Sequence, residues 1–558
     1  MRTGLRLMMA CAMALALALP AAAAQAGEAP QVRRLPVKEY REKMKAGWIG
    51  QIIGVSWGAP TEGRYSQIMP EKDVPPFRDT LVNDAFGQDD LYVEMTFLRS
   101  MEQYGLDVSI RQAGIDFANS RYSLWVANDA GRRNLRNGIA PSDSSHPKFH
   151  NCAGAIDYQI ESDYAGLIAP GMPNVVIALG EKFGRLMNYG DGMYAGQFMG
   201  GMYAEAFFEK DVTKVIEAGL KYIPPECMYA EMVRDMLRWR RENPDAWEKT
   251  WDLVDKKYRK DRNYNISPLD VKLEGAFVLM GLLYGNGDLD KTMIISFRCG
   301  SDSDCNPSSS GGVLFTTLGM PQLPDRYYRK LNEKAIFSHT AYTFPALIDV
   351  CEKLARQALA KEGGRVEKDA AGEEVFAIPV KAPTPSRFED LKKPGPVAGS
   401  LFTDDEMRQI ETPGLKWALP KMLPGWEAAG VNLGAGSFAW ERGGRKNVFI
   451  VAAGKTDTPW KLAKKVDLPA GKKSTLSLWA GVERDKAGWE LAIAADGKAL
   501  AAKTIAADTI RDGWLEVKAD LSEYAGRTVL VELAGQAVDK SVRQPPGCLL
   551  ADVAVRSE

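Results

Sequence analysis

The sequence is poor in the residues that build the most familiar catalytic and metal sites. Only three of its 558 residues are histidine. Two of them, His146 and His150, lie four apart in a Ser/Pro-rich stretch that does not read as a helix, so we expect no zinc site there. The chain also lacks a Gly-x-Ser-x-Gly elbow, a phosphate-binding loop and a dinucleotide fingerprint in a convincing context. Aspartate and glutamate side chains are therefore the main candidates for a catalytic or metal site.

An excess of charge of one sign is lacking too. The chain has 71 basic and 72 acidic residues, for a net charge of −1 at pH 7. This balance gives no electrostatic reason to expect nucleic acid or an anionic membrane as a partner. After the N-terminal stretch no run is long and apolar enough to span a bilayer. We therefore expect a small-molecule or glycan substrate, no nucleic acid and no membrane span, while the oligomeric state stays open.

The N-terminus has the pattern of a secretory signal. Arg2 and Arg6 form a basic start, Met8 to Leu19 are uncharged, and Pro20 then precedes an Ala-Gln-Ala cleavage pattern. A membrane anchor is the alternative, and the proline and the alanine-rich end disfavour it. We expect a signal peptide over residues 1–26 and a secreted or periplasmic protein.

The number of cysteines is modest for an exported chain. Six of the seven cysteines follow the leader, and their spacing resembles neither a disulfide framework nor a zinc site. A bridge between Cys299 and Cys305 and a set of buried free thiols both fit the sequence.

The length predicts two domains, because a chain of this size exceeds one ordinary domain. Residues 35–360 read as a bundle of ten or more helices separated by Gly, Pro and Asn. The clearest predicted helices are Leu91–Tyr104, Val175–Leu186, Tyr194–Phe208, Val212–Tyr222, Glu231–Arg241 and Val271–Tyr284.

The rest of the chain changes character twice. Residues 361–400 carry five prolines and read as a semi-rigid linker. Residues 401–558 then alternate with period two, which favours an all-β sandwich of jelly-roll type. The predicted strands are Trp460–Leu468, Lys473–Val482, Trp489–Ala495, Trp514–Leu521, Arg527–Leu533 and Leu549–Val555. The fold class is thus multidomain, an all-α helical domain followed by an all-β sandwich.

Two features of the second domain have alternative readings. Its tryptophans (Trp460, Trp479, Trp489 and Trp514) fit either a packed core or a carbohydrate platform. The acidic run that starts at Thr403 resembles a metal motif, but Thr403 and Glu406 also fit a helix capping box, which we favour.

Two aspartate clusters about two hundred residues apart each precede or begin a predicted helix. The first holds Asp89 and Asp90, and the second holds Asp302 and Asp304. Four carboxylates at one point would repel unless a cation lay between them, and hard oxygen ligands suit Mg²⁺, Mn²⁺ or Ca²⁺. The alternative is that each pair merely caps its helix. Convergence of the pairs predicts a metal-dependent hydrolase.

Four segments, in order, resemble the ADP-ribosylglycohydrolase family. The family has a glycine-rich helix ending in Gly-x-Pro-x-Glu, a Thr-Asp-Asp helix start, a central loop and a Gly-Gly-Asp-Thr-Asp-Thr segment. The matching stretches here are Gly50 to Glu62, Gln88 to Asp90, Asp163 to Gly171 and Gly300 to Cys305. The C-terminal stretch Asp520 to Gly526 is similar to a strand-turn of galactose-binding-like jelly rolls.

The resemblance implies a binuclear Mg²⁺ centre. Asp89, Asp90, Asp302 and Asp304 would be its ligands, and two such cations would polarise a substrate oxygen and lower the pKa of bound water. Gln88 and Cys305 stand where the family has threonines. A glutamine carbonyl can still coordinate a hard cation, whereas a thiol is a poor substitute for an oxygen. Val55 also replaces an acidic residue, so direct transfer of ADP-ribose specificity is weakened.

Catalysis needs a carboxyl group outside the metal shell. Glu62 matches a family glutamate, Glu94 projects from the same face as Asp90, and Asp163 lies in the central loop. For Glu94, a supporting role beside a metal ligand is an equal alternative. Stacking on a ring is conceivable for Trp57, Tyr65, Trp125 and Tyr164, although most aromatics of a bundle are core.

The substrate-binding candidates complete the set: Trp57, Glu161, Tyr164, Gly166 and Asp191. Asp191 begins another small-residue helix, so an N-cap role is its alternative. We expect a secreted metal-dependent hydrolase that cleaves a glycosidic bond, with a sugar or glycan favoured over an ADP-ribosyl acceptor. An inactive carbohydrate- or nucleotide-binding relative is the third interpretation, and Gln88 and Cys305 favour it.

Overall fold

The computed structural model of the protein describes residues 31–259, 269–429, 436–453, 458–483, 488–539 and 546–558. The predicted signal peptide lies outside these residues. The α-helices are α1 (Val37–Gly58), α2 (Asp89–Tyr104), α3 (Ile110–Ala118), α4 (Val126–Arg136), α5 (Asp157–Ile160), α6 (Asp163–Leu167), α7 (Pro173–Phe183), α8 (Asp191–Ala206), α9 (Val212–Gly219), α10 (Met228–Glu242), α11 (Trp247–Val254), α12 (Val271–Gly285), α13 (Leu289–Arg298), α14 (Cys305–Leu318), α15 (Phe344–Lys361), α16 (Asp404–Arg408) and α17 (Leu415–Met422).

The strands form three antiparallel sheets. They are β1 (Val32–Pro36), β2 (Arg365–Lys368), β3 (Glu374–Pro379), β4 (Glu427–Ala429), β5 (Ser437–Arg442), β6 (Arg445–Ala452), β7 (Trp460–Asp467), β8 (Ser474–Glu483), β9 (Trp489–Ala495), β10 (Lys498–Ile505), β11 (Leu515–Asp520), β12 (Thr528–Ala537) and β13 (Gly547–Ser557). An all-α unit followed by an all-β unit confirms the predicted fold class.

The helical unit is built around helices that are buried on every side. All fifteen residues of α12 are buried, as expected of a helix that is apolar all round. Side chains that accept a hydrogen bond from the first turn start several of the helices. These caps are Ser109 of α3, Asp211 of α9, Asp270 of α12, Asp288 of α13 and Thr343 of α15.

Helices α1 and α14 pack backbone against backbone along a stripe of glycines. A Cβ atom at Gly50 would lie 2.5 Å from the Gly311 carbonyl oxygen, and one at Gly54 would lie 2.2 Å from that of Pro307. At Gly58 it would lie 1.9 Å from the Ser303 carbonyl oxygen. The four-residue spacing keeps these glycines on one face of α1. The contact holds the acidic loop before α14 against the end of α1.

The stretch 361–400, predicted as a linker, is structured along much of its length. Strand β3 pairs with β1 and β2 in a three-stranded sheet of order β1-β3-β2. Phe376 and Ile378 are fully buried in the core of the helical unit. The prolines alone indicate a spacer. The strand pairing is not visible in the local sequence, because β1, the strand that pairs with β3, lies more than three hundred residues earlier in the chain.

The C-terminal unit is a sandwich of two five-stranded sheets. Their strand orders are β10-β9-β12-β7-β4 and β11-β8-β13-β6-β5. Trp460 and Trp489 are fully buried in the core between them, and their rings lie 5.9 Å apart. Trp514 is also buried, and an arginine covers Trp479 at 3.5 Å. These positions favour the core interpretation over a carbohydrate platform.

The two remaining alternatives from the sequence are resolved by contacts. Thr403 and Glu406 form a capping box at the start of α16. The six cysteines of the described residues are free thiols, so no bridge joins Cys299 and Cys305. Among the helices that the structure describes, none has the length and apolar character needed to cross a bilayer.

We predict that the Gly54→Ala variant is destabilised by roughly 2–3 kcal/mol, because its methyl group overlaps the Pro307 carbonyl and forces α1 and α14 apart. Urea unfolding followed by circular dichroism measures the change. Gly87→Ala is the control, since its methyl group would meet nothing within 4 Å and should shift stability by about 0.5 kcal/mol or less. Equal stability of the two variants would contradict the close packing.

Candidate metal centre and substrate cavity

Three segments of the helical unit converge on one cavity. Asp89 and Asp90 are the first residues of α2, and Asp302 and Asp304 lie in the loop that ends at the start of α14. Glu62 follows the short 3-10 turn after α1. The cavity has a volume of about 200 Å³. Residues from each segment line it, namely Glu62, Gln88, Asp89, Asp302, Asp304 and Cys305. The structure thus brings together the two distant aspartate clusters.

Asp90 lies directly behind the cavity wall and is fully buried. Neither of its carboxylate oxygens has a hydrogen-bond partner among the described residues, and Asp302 Oδ2 has none either. Burial, together with the like charges of Asp89 and Asp304, raises the pKa of Asp90 well above its usual range. Such unpaired buried carboxylates are costly unless they are protonated or bind a cation.

The donor set fits a hard divalent cation. One side-chain atom from each of Asp302, Asp304 and Cys305 lies within 4.8 Å of the others. Burial raises the pKa of Asp304 to about 7, and repulsion from Glu62 contributes. A cation at this point would reverse these shifts and keep the carboxylates ionised.

Cys305 is a weaker donor for a hard cation than an oxygen ligand would be. Burial and the negative charge of Asp302 raise the pKa of its thiol well above the usual range. The thiol donates toward Asp304 Oδ1 over 3.7 Å. Sulfur is a poor ligand for hard cations, so the carboxylates would supply most of the ligand field of a bound ion.

The acidic loop is held by a residue that the sequence analysis missed. Glu274 of α12 accepts hydrogen bonds from the Ser301 hydroxyl (2.6 Å) and from Asn306 Nδ2 (2.9 Å). Ser301 itself adopts a left-handed backbone with φ of 62°. On the other side, the hydroxyl groups of Thr61 and Ser303 are 2.8 Å apart. A lone acidic residue inside an apolar helix was the available signal for Glu274.

A second wall of the cavity comes from α4 and α5, and of its residues the sequence analysis had named only Trp125. The Asp157 carboxylate accepts hydrogen bonds from the backbone N–H groups of Ala127 (3.3 Å) and Asn128 (2.8 Å). Burial raises the pKa of Asp157 to about 7. Trp125 and Asn128 line the cavity beside it. No local sequence pattern marks Asp157 as a cap, because it lies in α5 and accepts hydrogen bonds from the first turn of α4.

Glu94 and Asp163, predicted to be catalytic, lie in the core and not in the cavity wall. Glu94 accepts hydrogen bonds from Gln51 Nε2 and, at 2.7 Å, from the Tyr164 backbone. Asp163 accepts one from the Tyr203 hydroxyl at 2.5 Å. Burial raises the pKa of Asp163 to about 8. Both carboxyl groups thus make contacts between helices and neither lines the cavity, so their catalytic role stays a prediction.

Three of the predicted substrate-binding residues, Trp57, Tyr164 and Gly166, make packing contacts in the core. Trp57 is buried, and its Nε1 donates to the Pro75 carbonyl at 2.8 Å. Tyr164 is fully buried. A Cβ at Gly166 would lie 2.2 Å from the Gly200 carbonyl oxygen, so this glycine permits close packing on α8.

Asp191 and Glu161, the other two predicted substrate-binding residues, are buried too and do not line the cavity. Asp191 accepts a hydrogen bond from the Tyr229 backbone at 2.7 Å and so caps α10. Glu161 is fully buried behind Asn128, whose Nδ2 donates to it. The apolar sequence around these residues does not distinguish a side chain that lines the cavity from one that packs behind it.

The family model described as ADP-ribosylglycohydrolase matches residues 36–365. A solved structure described as an ADP-ribosylglycohydrolase-related protein complex is 15% identical and covers 57% of this chain and 99% of its own, with a TM-score of 0.39.

Two carbohydrate-binding modules are among the other similar structures. The CBM22-1 xylan-binding domain from Paenibacillus barcinonensis Xyn10C is 17% identical and covers 24% of this chain and 86% of its own, with a TM-score of 0.18. TmCBM61 in complex with β-1,4-galactotriose is 15% identical and covers 26% and 95%, with a TM-score of 0.19. No curated protein matches significantly. Because the family model spans well over half of the chain, the protein belongs to the ADP-ribosylglycohydrolase family.

Proposed function

We propose that the protein is an exported, divalent-metal-dependent hydrolase that cleaves a glycosidic bond in a sugar or glycan. The observation that carries the proposal is the set of buried carboxylate oxygens without partners at the cavity of the two aspartate clusters. Family membership supports hydrolysis. The signal-like N-terminus supports export to the periplasm or the medium, where glycans are available.

The four aspartates would hold two divalent cations, with Mg²⁺ ahead of Mn²⁺ and Ca²⁺. When bound, such cations polarise a substrate oxygen and lower the pKa of water. Asp90 and Asp302 offer oxygens that no group among the described residues satisfies. Glu274 and the Thr61–Ser303 contact keep the acidic loop in place.

Glu62 is our general acid or base. It lines the cavity yet remains exposed, so it can exchange a proton with water. The backbone N–H of Gly63 donates to the Ser301 carbonyl at 3.1 Å, which ties the Glu62 turn to the acidic loop. Among the carboxyl groups first considered for this role, Glu62 alone lies in the described cavity wall.

Two alternatives have observations in their favour. The family match favours an ADP-ribosyl bond as the scissile bond. The neutral Cys305 thiol favours a relative that binds its ligand without turnover, because it weakens one ligand position.

We predict that Asp304→Asn lowers divalent-cation affinity at least about tenfold, because it removes one charged ligand from the cluster. Isothermal titration with Mg²⁺, Mn²⁺ and Ca²⁺ on chelator-treated protein measures this affinity. Asp84→Asn is the matched control, since its carboxylate is exposed and pairs with Arg78. Unchanged binding by Asp304→Asn would refute the metal centre.

For Glu62→Gln we expect kcat to fall by about 10²- to 10⁴-fold, with cation affinity retained, because the amide cannot transfer the proton. Steady-state kinetics on whichever substrate the unmodified protein cleaves supply the measurement. Glu71→Gln, at an exposed neighbouring turn, is the comparison. Wild-type kcat in Glu62→Gln would remove this residue from the mechanism.

The substrate class is tested by assaying aryl glycosides beside ADP-ribosylated peptides, each with Mg²⁺ and with chelator. The proposal expects metal-dependent release from the glycosides. Cleavage of the ADP-ribosyl bond alone would establish the first alternative. If the protein binds these ligands but turns over none of them, the second alternative, a binding protein without turnover, would be established.

A further inference from the structure

We propose that Trp125 is a stacking platform for a ring of the substrate, and that strain at Val126 fixes its direction. This inference deepens the proposed function, since it concerns the same cavity. Trp125 lies in the cavity wall, and 57% of its surface is exposed. By contrast, the stacking candidates Trp57 and Tyr164 are buried. An exposed indole beside a polar cavity offers a flat apolar face to a ring.

The backbone around Trp125 is held firmly although its side chain is exposed. On the N-terminal side, the Tyr92 hydroxyl donates to the Ser123 carbonyl at 2.9 Å. On the C-terminal side, Asp157 accepts hydrogen bonds from the N–H groups of Ala127 and Asn128. Such anchoring lowers the entropy that a ligand must remove on binding.

Val126 lies between these anchors with φ of 41°. A β-branched residue is rare in this left-handed region, and the strain persists only where surrounding contacts enforce it. The Asp157 cap is such a contact, because it fixes the first turn of α4 immediately after Val126. The strained residue thus sets the angle at which the chain delivers the indole to the cavity.

Asn128 adds a hydrogen-bonding group one helical turn from the indole. Its side chain is 3% exposed, and its Nδ2 donates to Glu161. This bond orients the amide so that Oδ1 is the remaining acceptor, and Oδ1 has no partner among the described residues. Trp125 and Asn128 line the same cavity. Together they suit a ring with a flat or apolar face and a neighbouring hydroxyl or amino donor, as in a pyranose or a nucleobase.

The test uses the full chain with Mg²⁺ and two probes, ADP-ribose and 4-nitrophenyl glycosides, each titrated by calorimetry. We expect Trp125→Ala to weaken binding of the preferred probe about tenfold and Trp125→Phe to restore most of the loss. The probe that responds distinguishes a nucleobase from a sugar ring. Tyr104→Ala, which removes an exposed aromatic at the far end of α2, should bind like the wild type.

Val126→Gly tests the positioning role separately. Glycine adopts positive φ without strain, so this variant should unfold at the same or a higher temperature while its affinity falls about threefold or more. Where turnover is measurable, KM should rise with kcat retained. Wild-type affinity in Val126→Gly would overturn the role of strain. Wild-type affinity in Trp125→Ala, or binding of neither probe by the unmodified protein, would overturn the platform.

These results separate the platform from the proposed hydrolysis. Loss of affinity in Trp125→Ala without cleavage of any substrate by the wild type would retain the platform and reject the hydrolase. Cleavage by Trp125→Ala with unchanged KM would retain the hydrolase and reject the platform.

Discussion

The close contact between α1 and α14 is the constraint on which the candidate site depends. Gly50, Gly54 and Gly58 let the two backbones touch, and this contact sets the position of the acidic loop relative to Glu62. Any side chain along the stripe would widen the gap between helices. The geometry of the acidic loop therefore rests on the absence of side chains at Gly54 and Gly58, which meet the chain at Pro307 and Ser303.

A second constraint is the repulsion among the carboxylates themselves. Among the described residues, the groups that hold the acidic loop are neutral: the Ser301 hydroxyl and the Asn306 amide donate to Glu274, and the Thr61 hydroxyl contacts that of Ser303. Neutral donors orient a carboxylate without satisfying its charge. A site so arranged has a strong electrostatic preference for a positive ligand. The neutral Cys305 thiol contributes less to this preference than a carboxylate would.

Sequence reasoning located the aspartate clusters because the residue type and the helix start carried the signal. It predicted six helices and six strands in the regions where the structure has them, with ends shifted by a few residues. It failed where three-dimensional context decides. Glu94 does share a face of α2 with Asp90, yet that spacing gives no sign that Glu94 meets Gln51 in the core and not the cavity. Asp157 acts across two helices, so no local pattern marks it.

The segment between the two units belongs to the helical unit, which therefore extends past residue 360. The core of that unit includes Phe376 and Ile378 of β3 and continues through Phe402, Met407 and Ile410. A chain terminated near residue 360 would lose these five apolar side chains and leave the edge of β1 bare. Expression of the helical unit alone should therefore extend beyond Ile410, and proteolysis within the proline-rich stretch would leave the fragments associated.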